Sequence, residues 1–138
     1  MKDIEQLNHC IIEFYDKLSS WEQSVVKELH LSLAQVHTIE VLGNHNAMRM
    51  RELADKLGIT TGTLTVQVDK LVNTGFIERQ PHHSDRRSIL VKLTESGQNI
   101  YKQHNDLHLA LTQDITAKLD EDDTAVLLKL FKKINCEF

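Results

Sequence analysis

Residues 51–75 read RELADKLGITTGTLTVQVDKLVNTG, and every other assignment hangs on them. Leu53, Ala54 and Leu57 recur at helical spacing, and so do Leu64, Val68 and Leu71 after a short break. Between the two groups stands Gly58, which takes positive φ without steric cost. Thr60 or Thr61 offers a hydroxyl to cap the second helix, and Gly75 closes it. The pattern predicts two short helices around a tight turn within residues 49–75.

Downstream, Phe76-Ile77-Glu78-Arg79-Gln80 and Ser88-Ile89-Leu90-Val91-Lys92-Leu93 are short and β-prone. The polar run Pro81-His82-His83-Ser84-Asp85-Arg86-Arg87 between them reads as a hairpin tip. Thr94-Glu95-Ser96-Gly97 then starts a long helix to about residue 118. Asp120 caps a last helix, with Leu127, Leu130, Phe131 and Ile134 on its inner side. Upstream, Ile4, Leu7, Ile11, Phe14 (or Tyr15) and Leu18 follow helical spacing, and Trp21, Val25 and Leu29 extend the stripe. They predict one helix over residues 3–28. Ser32 caps a second helix with Val36, Ile39 and Val41 or Leu42 inward, and Gly43 is its expected stop.

The fold class is therefore mainly α with a small β-wing. A winged helix-turn-helix over 31–94 lies within a single 1–138 protomer, and terminal helices, 1–30 and 95–138, flank it as dimerisation helices. Those helices are too apolar to stand alone in water, and one chain offers too few elements to cover them. A second copy would bury them.

Composition sets the outer bounds. The chain has 138 residues, 41% of them hydrophobic, which suits one globular protomer rather than a disordered chain. One proline and five glycines argue against a Gly/Pro-rich β scaffold. No apolar run approaches the roughly 20 residues of a membrane span. The N-terminus has mixed charge and no apolar h-region, so a signal peptide is not expected. Cys10 and Cys136 stand near opposite ends and form neither a metal spacing nor a disulfide framework, as in a reducing cytoplasm. Both are expected to be reduced and inert, although terminal helices meeting in a dimer leave a disulfide open.

Enzyme chemistry finds no support. No Gly-rich phosphate loop, nucleophile elbow or paired catalytic carboxylate is present. His83, Ser84 and Asp85 are triad residue types, but adjacency at a strand tip does not build triad geometry. The formal net charge of −4 looks unsuited to nucleic acid, yet its distribution is not. Residues 49–92 hold eight Lys/Arg against five Asp/Glu, a local +3, and the remainder carries −7. His82 and His83 stand beside Arg86 and Arg87 in this segment.

A helix-turn-helix lays its second helix in the DNA major groove. With Leu64, Val68 and Leu71 inward, Thr61, Gly62, Thr63, Thr65, Gln67 and Lys70 are the expected outward residues. Threonine hydroxyls suit phosphates and threonine methyls suit thymine; glutamine reads adenine bidentately and lysine reaches guanine or phosphate. Gly62 leaves space for close backbone approach. At the hairpin tip, an arginine from Asp85-Arg86-Arg87 suits a narrow minor groove, with Asp85 holding a guanidinium by charge-assisted bonds.

At this point the chain resembles the MarR family of transcriptional regulators. The likeness runs through Arg51-Glu52-Leu53-Ala54-Asp55-Lys56-Leu57-Gly58, Leu64-Thr65-Val66-Gln67-Val68-Asp69-Lys70-Leu71, Gly75-Phe76-Ile77-Glu78-Arg79, Asp85-Arg86-Arg87 and Leu93-Thr94-Glu95-Ser96-Gly97. The resemblance implies a cytoplasmic homodimer with interlocked terminal helices. It implies binding to pseudo-palindromic promoter DNA, often as a repressor, with Arg87 in the minor groove and Asp85 as its orienting partner. The rival reading is a winged-helix protein-interaction module that does not bind DNA.

The effector stays open between readings. His104 and His108 are four apart on one helix face, a spacing suited to one ion. With His37 on the second helix and Glu22 at the end of the first, they make a sensible zinc set, so zinc is the candidate cofactor. This set resembles a zinc-sensing branch of the family. The stretches His37-Thr38-Ile39-Glu40 and Thr61-Gly62-Thr63-Leu64-Thr65-Val66, together with His104 and His108, also resemble the branch that represses fatty-acid synthesis and answers to acyl-carrier protein. Other small lipophilic effectors are a further class.

Overall fold

The computed structural model describes residues 2–85 and 88–137. Arg86 and Arg87, the expected wing-tip arginines, lie outside the described residues. The chain divides into two units, Met1–Tyr101 and Lys102–Phe138. Among the described residues no helix is long and apolar enough to cross a membrane.

The first unit holds α1 (Lys2–Glu28), α2 (Leu33–His45), β1 (Met48–Arg49), α3 (Met50–Leu57), α4 (Thr61–Asn73), β2 (Ile77–Pro81), β3 (Ile89–Leu93) and the start of α5 (Glu95–Thr116). The three strands form an antiparallel sheet in the order β1-β3-β2. Met48 faces Val91 across the first pair, and Ile77 faces Leu93 across the second. One core joins Ile39 and Leu42 of α2, Leu53 and Ala54 of α3, Leu64, Val68 and Leu71 of α4, and Met48, Ile77, Val91 and Leu93 of the sheet. Burying a Leu, Ile or Val side chain contributes about 1.5–3 kcal/mol. The inward residues expected for α3 and α4 thus hold both helices against the sheet.

The caps follow the sequence. Ser32 and Gln35 form a reciprocal capping box at the start of α2: the Gln35 amide donates to Ser32 Oγ at 3.1 Å, and the Ser32 amide to Gln35 Oε1 at 2.9 Å. Gly58 takes φ +68° at the end of α3 and Gly75 takes φ +85° after α4.

The structure departs from expectation at three places. Gly43 does not stop α2, which runs on to His45 with Asn46 beyond it at φ 63°. Gly43 instead lies against the Tyr101 ring, where a Cβ would overlap ring carbons. The strand β1 was not expected, because two residues show no alternation to read. In α6 (Glu121–Glu137), of the second unit, Leu130, Phe131 and Ile134 are not inside the protomer: they are 47%, 44% and 54% exposed. The α1 stripe behaves alike, with Ile4, Leu7 and Ile11 more than half exposed and only Val25 and Val26 buried.

Candidate nucleic-acid interface

The reading helix α4 is capped by Thr60, whose hydroxyl oxygen accepts from the Thr63 amide at 3.2 Å. This satisfies one of the four amides left free at a helix start. The stripe Leu64, Val68 and Leu71 is fully buried. The opposite side follows by periodicity: Thr61, Gly62, Thr63, Thr65 and Lys70 are exposed, as the sequence predicts. Their hydroxyls are partly committed. Thr65 Oγ1 donates to the Thr61 carbonyl at 2.8 Å, and Thr60 Oγ1 donates to Thr63 Oγ1 at 3.0 Å.

Gln67 departs from the expected outward pose. It is half-buried and leans on α2, its Oε1 3.4 Å from Thr38 Oγ1. Thr38 is fully buried and donates its hydroxyl hydrogen to the Ala34 carbonyl at 2.9 Å. Gln67 stands about 60° from the buried stripe on a helical wheel, at its edge rather than opposite it. Val66, an apolar residue absent from the expected outward set, is turned outward by the same periodicity and is 56% exposed.

The wing is pinned to α4 from one side. Arg79 of β2 pairs with Asp69 of α4 at 2.5 Å, and Lys92 pairs with Glu78 across the strands at 3.2 Å. At the tip, the His82 amide donates to the Ser88 carbonyl at 2.9 Å and continues the hairpin ladder. His82 Nδ1 accepts from the Ser84 amide at 3.1 Å, and its ring stacks on His83 with centroids 4.7 Å apart. Asp85 accepts from the Ser88 hydroxyl at 3.3 Å; its expected arginine partners fall outside the described residues. Two further cations stand at the wing root. Arg49 and Arg51, both exposed, line a shallow depression of about 340 Å³ with Met50, Ser88 and Ile89. Neither is among the residues expected at the interface, because the two-residue strand that aligns Arg49 with Leu90 leaves no periodic signal in the sequence.

Of the candidate zinc ligands, Glu22 and His37 belong to the first unit and His104 and His108 to the second. His37 is exposed on α2. The i, i+4 spacing brings the His104 and His108 rings edge to face with centroids 4.5 Å apart. Cys10 and Cys136 are both free and exposed.

Comparison with known proteins agrees with this geometry. A family model described as the MarR family matches residues 31–89. The chain is 30% identical over 100 residues to the uncharacterised HTH-type transcriptional regulator YfiV of Bacillus subtilis (strain 168), covering 72% of this chain and 62% of that protein. The matched stretch spans about three-fifths of the length of the first curated relatives, the multiple antibiotic resistance protein MarR of Escherichia coli (strain K12) included. Among solved structures, Streptococcus pneumoniae FabT in complex with DNA superposes with a TM-score of 0.85 at 25% identity, covering 95% of this chain and 94% of that one. Wild-type E. coli MarR in its apo form superposes with a TM-score of 0.76 at 31% identity, covering 93% of this chain and 95% of that one. With its helix-turn-helix, its wing and its whole-length match to MarR, the chain belongs to the MarR family.

Proposed function

We propose that the protein is an effector-responsive transcriptional regulator, acting as a cytoplasmic homodimeric repressor. It binds pseudo-palindromic promoter DNA with α4 in the major groove and the β2–β3 wing in the minor groove. The observation that carries this reading is α4 itself. One face is fully buried, and the other offers Thr61, Gly62, Thr63, Thr65 and Lys70 to a partner. Local charge supports it, since residues 49–92 are net positive in an acidic chain. The apolar faces left open on α1 and on α6 support a second copy. The DNA-bound state of FabT supports the choice of partner.

The test is fluorescence anisotropy of labelled DNA from upstream of the protein's own gene, titrated across salt. Lys and Arg that neutralise phosphates release counterions, so affinity falls steeply with salt. Six or more contacts predict a loss of about 10³-fold between roughly 50 and 200 mM salt. Binding absent at low salt would favour the protein-interaction module instead. A second expected result concerns the wing. Arg87→Ala should weaken operator binding by about 1–3 kcal/mol with the thermal midpoint unchanged. Unaltered affinity would remove Arg87 from the interface.

A further inference from the structure

The exposed side of α4 is not uniformly polar. Val66 lies two residues beyond the buried Leu64, about 200° round the helix, and so points straight away from the core. Gly62 stands one turn earlier on the same line. Neither conformation nor packing asks for glycine there. Its φ is not among the positive ones, and an added Cβ would meet only Thr60 Oγ1 at 3.9 Å. Helical side chains lean toward the N-terminus, so the Val66 methyls overhang the bare turn at Gly62. Beside them, Thr65 has folded its hydroxyl onto the Thr61 carbonyl, which leaves its methyl as the group to offer. The result is an apolar notch in the N-terminal half of the helix that, on the function proposed above, enters the major groove.

We propose that Gly62 and Val66 form a methyl-reading notch that selects thymine in the operator. The major-groove edges of the four bases carry one apolar group, the C5-methyl of thymine. An exposed valine over the side-chain-free Gly62 matches that group, and its methyls offer nothing to a donor or acceptor. Lys70, exposed one turn further on, is free to reach phosphate or guanine while the notch is filled.

The experiment crosses protein and DNA changes. A duplex is first enriched by the protein from a random-sequence pool, and each thymine is then replaced by deoxyuridine, which lacks only the methyl. Replacement at one position per half-site should weaken binding about fourfold per half-site, the value of one buried methyl group. In Val66→Ala the same replacement should cost less than about twofold, because the partner methyls are gone. Gly62→Ala should bind the duplex at least about tenfold more weakly while its thermal midpoint holds or rises, since alanine favours the helix. Deoxyuridine tolerated at every position, or its full penalty retained in Val66→Ala, would overturn the notch and leave DNA binding standing. Unchanged binding by Gly62→Ala would overturn it too. No enriched duplex at all would overturn the proposed function itself, and the notch with it.

Discussion

Replacing Leu130 and Ile134 together with aspartate will yield a monomer that keeps its helices and loses its operator. Both residues lie on one line of α6, four apart, and are about half exposed in the protomer. An apolar line of this kind is stable in water only when something covers it. In the proposed homodimer a second copy does so, and each buried Leu or Ile contributes about 1.5–3 kcal/mol. The double substitution deletes that contribution from both protomers and adds unpaired carboxylates where burial is costly. A monomer engages one half-site and forfeits the 10²–10⁴-fold avidity of paired binding. The expected readings are a monomer mass by light scattering at micromolar concentration, unchanged helical circular dichroism, and operator affinity reduced about 100-fold or more. A persistent dimer with full affinity would remove α6 from the interface.

The second large effect is one of stability. Gly97→Ala should lower stability by about 3 kcal/mol, at the top of the usual range for overpacking. The reason is the neighbour it would strike. A Cβ on Gly97 would overlap the Phe76 carbonyl oxygen and lie 3.1 Å from its carbon. That carbonyl is not free to withdraw. It accepts the Thr94 amide at 3.0 Å, while Thr94 Oγ1 donates to the Gly75 carbonyl at 2.5 Å and accepts the Gly97 amide at 3.1 Å. One threonine thus ties the start of α5 to the turn between α4 and β2, and the clash falls inside the knot. A fall of about 10 °C in the thermal midpoint would register this. A midpoint within about 2 °C of wild type would mean that the junction yields more easily than its bonds imply.

How much of this was legible in the sequence depends on how local each signal is. Ser32, Thr60 and Gly58 act within four residues of themselves, and each stands where the sequence places it. The stripes of α3 and α4 were legible because 3.6-residue periodicity maps directly onto burial. Gly43 was misread because its role lies 58 positions away, at the Tyr101 ring. Strand β1 escaped because two residues carry no period and its partner, Val91, is remote in sequence. In the candidate interface, periodicity alone separated the faces of α4. Assigning Gln67 outward neglected the reach of its side chain to Thr38 on α2, and passing over Val66 treated an outward apolar residue as inert. Sequence also shows that α1 and α6 are striped, but not what covers the stripe.

The contact between Gly43 and Tyr101 has a consequence for how this chain can diverge. Tyr101 donates its hydroxyl to Asn44 Oδ1 at 2.5 Å while its ring occupies the space that a side chain at 43 would need. The two positions therefore cannot drift independently. A descendant that acquires alanine or serine at 43 must also exchange its aromatic residue at 101 for a smaller one, and it then gives up the bond to Asn44. Across a deep set of descendants, columns 43 and 101 should co-vary as a size-exchange pair, with glycine retained wherever the tyrosine survives.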